Sequence, residues 1–373
     1  MLGCGKIGSV IAMDLDKSLK GAEVTVADRS RGMAEAAASG IEGAEWAVAD
    51  VTDRPGTVEA LRGFDLVVGA LPGDYGYGAL KAAVEARVNM VDISFAPEDP
   101  LGLHDAAKGA GITIIPDCGV APGLSNMLVG YASSKLDRVR GAHIMVGGLP
   151  EYQVPPLGYT ITWSAEGLID EYMRGARIIE GGRVVEVPAL SGLEEVEFPG
   201  VGTLEAFYTD GLRTLLRSMP GVESMWEKTL RYPGHVEKIG LLRELGFFGE
   251  EPVNVESVRV SPRLVTARIL ERSLRRPEVG DILAMTVEVA GERGGEEARF
   301  RYRILDRFDE EGKVTAMART TAYTASIVAQ KLAKGEVEER GVVPPERLGM
   351  DEGLFEDILS ELRGRGVQVE TKP

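Results

Sequence analysis

Short apolar runs alternate with stretches that repeat apolar positions every three or four residues through the first third of the chain. Ser9–Lys20, with Ile11, Leu15 and Leu19 at helical spacing, predicts a helix, and Glu23–Asp28 predicts a strand. Trp46–Asp53 reads as a short strand ending in acids. Phe64–Leu71 is a continuous apolar run bounded by charge and by Pro72-Gly73, the pattern of a buried parallel strand. A helix over Lys81–Arg87, a strand over Val88–Ile93, a helix over His104–Gly109 and a strand over Ile112–Ile115 follow. Strands and helices alternating in this way predict an α/β fold with a doubly wound parallel sheet. From Leu124 the pattern changes. His143–Gly148 and Leu157–Trp163 alternate like strands of a mixed sheet, with helices expected at Ala165–Arg174 and Asp210–Arg217. Val258–Leu270, Ile282–Val289 and Glu297–Ile304 read as antiparallel strands, making a second, α+β domain. Thr320–Lys334 and Leu354–Arg363 are amphipathic helices flanking Pro344-Pro345. The expected division is a first domain over residues 1–122, a substrate-binding and dimerisation domain over 123–319, and carboxyl-terminal helices over 320–373 that return to the first domain.

A chain of 373 residues has room for two cores. A net charge of −16 argues against nucleic acid and anionic membrane surfaces as partners. Two cysteines, Cys4 and Cys118, give no disulfide framework and fit a reducing, cytoplasmic setting. No run approaches membrane-spanning length, and no metal site is read from the sequence.

Composition leaves the chemistry open; the first residues narrow it. Gly3-Cys4-Gly5-Lys6-Ile7-Gly8 spells G-x-G-x-x-G, and Asp28 closes the next strand twenty residues after Gly8. Gly3 permits a tight turn, Gly5 lets backbone approach a pyrophosphate, and Gly8 allows close helix–sheet packing. Lys6 and Ile7 open a helix whose free N–H groups face the phosphates. Asp28 suits the ribose hydroxyls of NAD, while Arg29 and Arg31 beside it leave NADP open. Asp50, Leu71, Pro72 and Asp92, at or just beyond strand ends, are the further cofactor candidates. The glycines of the Pro72–Gly78 loop are expected to admit the cofactor's middle. Only Met1 and Leu2 precede the motif, so the expectation is that about five residues of the central strand are missing.

Several separated motifs then resemble the saccharopine dehydrogenase-like superfamily, most of all its L-lysine 6-dehydrogenase members. They are Ala121-Pro122-Gly123-Leu124-Ser125-Asn126, Val146-Gly147-Gly148-Leu149-Pro150, Ile161-Thr162-Trp163-Ser164, Asp210-Gly211-Leu212-Arg213 and Thr229-Leu230-Arg231-Tyr232-Pro233-Gly234-His235. The resemblance implies a Rossmann-like first domain, NAD-dependent oxidation of the lysine side-chain amine, cyclisation of the product to piperideine-6-carboxylate, and a homodimer built through the second domain. Saccharopine-forming and carboxynorspermidine-forming relatives resemble G-x-D-P-G where this chain has Gly119-Val120-Ala121-Pro122-Gly123, and Ala121 has no titratable group.

Amine oxidation needs a base, because the nitrogen must be neutral when hydride leaves. His235 is the candidate on titration grounds, with Asp92 and Asp117 as alternatives. Arg231, with Arg213 sharing or replacing it, is the candidate fork for a substrate carboxylate. Tyr159, Thr162 and Trp163 are expected to line the pocket, and Glu205 and Asp210 are weaker candidates for holding an α-ammonium. Each has a plain structural reading: a helix-start histidine, strand-end caps, ion-paired arginines, core aromatics. Two alternatives stand beside lysine oxidation: a reductase that condenses an amine with a carbonyl, as in saccharopine or carboxynorspermidine formation, and a non-catalytic NAD-binding regulator.

Overall fold

A computed structural model describes residues 1–161 and 164–372, and divides the chain into two compact units. The first comprises Met1–Arg138, Arg213–Ser218 and Ala318–Val369; the second comprises Val139–Leu212, Met219–Met317 and the chain end from Glu370. The first unit therefore keeps the helix Leu124–Ser133, and takes back six residues from the middle of the second.

The first unit is built on parallel strands. Thr25–Asp28 pairs with Glu45–Val48, while Leu66–Gly69, Asn89–Asp92, Thr113–Ile115 and Gly341–Val342 lie side by side in that order. Leu2 joins the two groups, bridging to Ala27 on one side and Gly69 on the other. Its N–H donates to Val68 O and the Ala70 N–H returns to Leu2 O, both at 2.8 Å. On the other edge Gly3 N–H donates to Ala27 O and Ala27 N–H to Met1 O, again at 2.8 Å. Two residues thus act as the central strand of a doubly wound sheet, and strand order reverses at them. In such sheets ligands bind beyond the carboxyl ends of the strands at this reversal.

The helix after the turn runs Lys6–Ser18, three residues earlier than its apolar spacing indicates, because the glycine turn itself feeds it. The segment expected as a glycine loop is helical: Gly73–Ala86 forms one helix capped by Pro72. Its glycines serve packing, since a Cβ on Gly73 would stand 2.4 Å from Phe95 O and one on Gly76 2.3 Å from Ser94 Cβ. The helices Leu124–Ser133 and Pro345–Met350 interlock in the same way, with Gly130 against Glu346 O and Gly349 against Met127 O.

In the second unit a mixed sheet runs in the order Glu370–Lys372, Glu296–Arg307, Asp281–Arg293, Arg138–Pro150, Ser224–Arg231, Gly202–Thr209, Glu194–Phe198. Ser224–Arg231 is parallel to Arg138–Pro150 and antiparallel to Gly202–Thr209. Helices Ala165–Met173, His235–Glu244 and Pro262–Leu274 supply apolar residues to a core with Phe207 of the sheet. Three expectations fail here. Val258–Leu270 is a short strand, Val258–Val260, followed by a helix, because Ser261 caps Leu264 N–H and Pro262 sits at the first helical position. Leu157–Ile161 is not a strand, and Thr162 and Trp163 lie outside the described residues. Of Asp210–Arg217 only the Leu215–Ser218 turn is helical.

Candidate functional site

The Gly3–Gly8 turn emerges at the point where strand order reverses. Gly3 has φ +91°, and a Cβ there would stand 2.4 Å from Ala70 O; one on Gly8 would stand 2.0 Å from Gly3 O. Both glycines are fixed by backbone approach. Gly5 differs: it caps the helix with no side chain, and nothing lies within 4 Å of where its Cβ would be. The first-turn N–H groups at Lys6, Ile7 and Gly8 have no intrahelical acceptor, and the helix dipole adds partial positive charge. Asp28 is held against this turn, its Oδ2 accepting from Cys4 N–H at 2.9 Å and its Oδ1 from Ser30 N–H at 2.8 Å. An open glycine, a bare helix terminus and an oriented carboxylate fit a dinucleotide.

The other cofactor candidates divide. Leu71 is half-buried, with its side chain 3.4 Å from where a Cβ on Gly3 would stand, whereas Pro72 is exposed and caps the next helix. Arg29 is exposed; Arg31 pairs with Glu35 and lies over the Trp46 ring. Asp50 closes its own turn, accepting from Thr52 N–H at 3.0 Å and Thr52 Oγ1 at 2.7 Å; these bonds lower its carboxyl.

Asp92, the last residue of its strand, and Asp117, two residues beyond the end of the neighbouring one, are buried together with Arg213. Arg213 reaches Asp117 through Nε at 3.1 Å and a terminal nitrogen at 3.2 Å, and lies over the Phe95 ring. Asp117 and Arg213 both adopt left-handed backbone, φ +52° and +53°, which non-glycine residues hold only when their surroundings enforce it. The segment carrying Arg213 is pinned by buried Glu346, which accepts from Thr214 Oγ1 at 2.9 Å, from Ser218 Oγ and from Asn126 Nδ2 at 3.4 Å. Burial pushes Asp117 up against the pull of Arg213. Asp92 accepts from Ser94 N–H at 3.0 Å and Ser94 Oγ at 2.9 Å, and stands over Gly69, where a Cβ would be 2.2 Å from its Oδ1. Burial pushes it up to about 7; Asp117 adds to the rise while Ser94 and Arg213 oppose it. Such a carboxyl can take or give a proton near neutrality. Cys118 is buried beside them and its thiol is pushed up, which keeps it protonated and poorly nucleophilic.

In the second unit Arg231 ends the strand Ser224–Arg231. One terminal nitrogen donates to both Glu171 oxygens at 2.9 and 3.2 Å, the other to Leu230 O, and Nε to Tyr172 Oη at 3.4 Å. The buried Tyr159 ring lies 4.7 Å from its guanidinium carbon. His235 is fully buried. Its Nδ1 faces Leu157 O at 2.9 Å, so that nitrogen carries the proton; Nε2 then accepts from Tyr172 Oη at 2.8 Å. Burial, with Arg231 beside it, depresses the imidazole to about 3. This corrects the expectation of a base titrating near neutrality: His235 is a neutral strut in a Glu171–Arg231–Tyr172–His235 chain. The two arginines proposed as carboxylate forks each already hold an acid, Arg231 Glu171 and Arg213 Asp117. The weaker ammonium candidates are also engaged. Glu205 caps the helix at Gly234 and Val236 N–H, and Asp210 is bidentate with Arg177.

One residue the sequence reading missed stands out. Glu227 shares a strand face with Thr229 and Arg231 and lies opposite Thr209. It is 5% exposed, and its Oε2 is shut off from solvent with no hydrogen-bond partner. The signal in the sequence is strand alternation, which puts Glu227 on the buried side with Met225.

The fold and this turn define a dinucleotide-binding α/β protein. The family model for the saccharopine dehydrogenase NADP binding domain matches residues 1–115, and that for the saccharopine dehydrogenase C-terminal domain matches 119–367. The chain belongs to the saccharopine dehydrogenase family. It is 28% identical over 267 residues to the saccharopine dehydrogenase [NADP(+), L-glutamate-forming] of Schizosaccharomyces pombe, covering 66% of this chain and 58% of that protein. It is 23% identical over 315 residues to the carboxynorspermidine synthase of Vibrio cholerae, covering 77% and 73%. The chain spans little more than half the length of the curated saccharopine dehydrogenases it matches, 58% and 54% of the first two. Apo saccharopine dehydrogenase (L-Glu forming) from Saccharomyces cerevisiae has the same fold, with a TM-score of 0.79 over 100% of this chain and 99% of that one at 19% identity. No helix among the described residues is long and apolar enough to cross a membrane.

Proposed function

We propose that this chain is an NAD(P)-dependent oxidoreductase acting on the carbon–nitrogen bond of a lysine-type amino acid, in its sharpest form an L-lysine 6-dehydrogenase working as a homodimer. The observation that carries the reading is Asp92: a buried carboxyl raised to about 7, at the carboxyl end of a strand in the unit that also presents the open Gly3–Gly8 turn. Gly5, the first helical N–H groups and Asp28 would hold the dinucleotide, whose nicotinamide supplies the hydride acceptor when bound. The work of this chain is protonic. An alkylammonium gives up no hydride until it is neutral, so ionised Asp92 takes its proton. Arg213 and Asp117 fix the charge beside it, and Ser94 holds the Asp92 carboxyl in place. Loss of hydride from the carbon next to the neutral nitrogen leaves an iminium ion, which water converts to aldehyde and ammonium. Ala121, where amine-condensing relatives resemble an Asp, supports a primary amine as donor.

A second reading, oxidation of a secondary amine such as saccharopine, is supported by the names of the similar proteins. Product analysis separates the two. Protein, NAD or NADP and L-lysine should yield reduced nicotinamide, ammonia and a cyclised imine. Reduction with saccharopine alone, releasing glutamate, would replace the first reading by the second, and no reduction with either would remove both.

A further inference from the structure

Much of the apolar surface left in water lies in one short stretch of the second unit. Of the seventeen large apolar side chains exposed among the described residues, nine fall between Leu241 and Ile269. Two elements there present them in order. The hairpin of Val253–Val255 with Val258–Val260 sets Val253 opposite Val260 and Val255 opposite Val258. Four valines therefore share one face, and Asn254 and Arg259 take the other. The helix Pro262–Leu274 buries Thr266, Ala267, Leu270 and Leu274, and turns Leu264, Val265 and Ile269 outward beside Arg268 and Arg272. Val253, Val255, Val258 and the three outward apolar residues of the helix are 43–59% exposed. Hairpin and helix leave one anchored turn: Arg263 N–H donates to Gly249 O at 3.0 Å and Thr266 Oγ1 to Phe247 O at 2.8 Å. A two-stranded hairpin is marginal alone in water, yet every residue from Glu251 to Arg259 is exposed. Apolar faces left open side by side in this way mark an interaction surface.

We infer that two copies of the chain associate here, the valine face of one hairpin packing on the Leu264, Val265 and Ile269 face of the other copy's helix. Charge selects a second copy as the occupant. The helix face carries Arg268 and Arg272, both exposed, and Arg272 makes no ion pair among the described residues. The hairpin carries Glu250 and Glu251 at its base and Glu256 in its turn, all exposed and also without ion pairs among the described residues. The surface that complements an apolar, basic helix is an apolar, acidic one, and the same chain supplies it. These local pairs oppose the repulsion between two chains of net charge −16. Because each copy offers both halves, a two-fold axis makes the contact twice and closes the pair. The inference gives the homodimer of the proposed function a surface, and it does not depend on the amine chemistry.

The test is sedimentation velocity of the full chain at micromolar concentration, which should give twice the 40.0 kDa chain mass. Ile269→Asp, at an exposed position where no core packing is lost, should raise the dimer Kd about a hundredfold. Two charge variants test the pairing itself. Arg268→Glu with Arg272→Glu makes both halves acidic, and Glu250→Arg with Glu251→Arg and Glu256→Arg makes both halves basic. Each alone should raise the Kd about ten- to a hundredfold. An equimolar mixture of the two should return to dimer, because both contacts across the axis then set acid against base. Circular dichroism matching that of the unaltered chain checks that each variant is folded. A chain that sediments as a monomer throughout, a dimer that survives Ile269→Asp and both charge variants, or a mixture of folded variants that stays monomeric would overturn the assignment. Dimerisation without nicotinamide reduction would keep the interface and remove the oxidoreductase reading; reduction by a monomer, or by a dimer these variants leave intact, would do the reverse.

Discussion

Asp92 and Glu227 are two buried carboxyls treated in opposite ways. Each stands over a glycine, Gly69 and Gly211, and each is raised toward or past neutrality mainly by burial. Asp92 is supplied with donors by Ser94 and has a guanidinium within electrostatic reach. Glu227 receives no hydrogen bond at Oε2 and feels only other acids. The same burial thus leaves an oriented, hydrogen-bonded carboxyl in one unit and a carboxyl without a donor at Oε2 in the other. Local donors, more than depth, decide which.

The largest break in this contrast comes at Asp92. Asp92→Asn should lower kcat for amine oxidation by about a hundred- to ten-thousandfold, the range for a general base, with dinucleotide affinity retained. Steady-state kinetics beside fluorescence titration of the reduced cofactor would separate the two. Next is the pH dependence of stability. Both folded carboxyls titrate above their unfolded values, so between about pH 4 and 8 the native state binds more protons, and stability falls as pH rises. The slope from each approaches about 1.4 kcal/mol per pH unit within its own window. Denaturant unfolding across that range should show the decline, and Asp92→Asn and Glu227→Gln should each flatten it, the former up to about 7 and the latter up to about 8.

The two glycines sharpen the comparison. A methyl at either would drive into the carboxyl above it, costing about 1–3 kcal/mol. Gly69→Ala should lower kcat with little change in the KM for lysine, while Gly211→Ala should lower stability and leave kcat unaltered. An equal loss of kcat in both would deny the two acids separate roles. The smallest effect is at the cofactor edge. Asp28→Asn should weaken NAD about tenfold and narrow its advantage over NADP, as read by paired titrations.

Sequence resolved what is local. The glycine turn follows from spacing alone, and from alternation the antiparallel strands Ile282–Val289 and Glu297–Ile304, which the structure extends to Asp281–Arg293 and Glu296–Arg307. Where residues distant in the chain decide the outcome, the reading stopped short. Asp117 meets Arg213 across 96 positions, and Glu346 pins that segment from 132 positions away. His235 looked titratable because its type is; only the surrounding Leu157 carbonyl, Tyr172 hydroxyl and Arg231 charge reveal a committed neutral ring. Gly73 and Gly76 looked like loop because their contacts with Phe95 and Ser94 are tertiary. Glu227 was passed over since alternation marks a buried face without saying whether a donor waits there.

The most direct test of the account is the pH profile of kcat/KM for nicotinamide reduction with L-lysine. The account predicts that kcat/KM climbs through an apparent pKa near 7 as Asp92 of the free protein ionises, and that this limb vanishes in Asp92→Asn. A profile flat from pH 6 to 8, or no reduction with lysine-type amines at any pH, would contradict it.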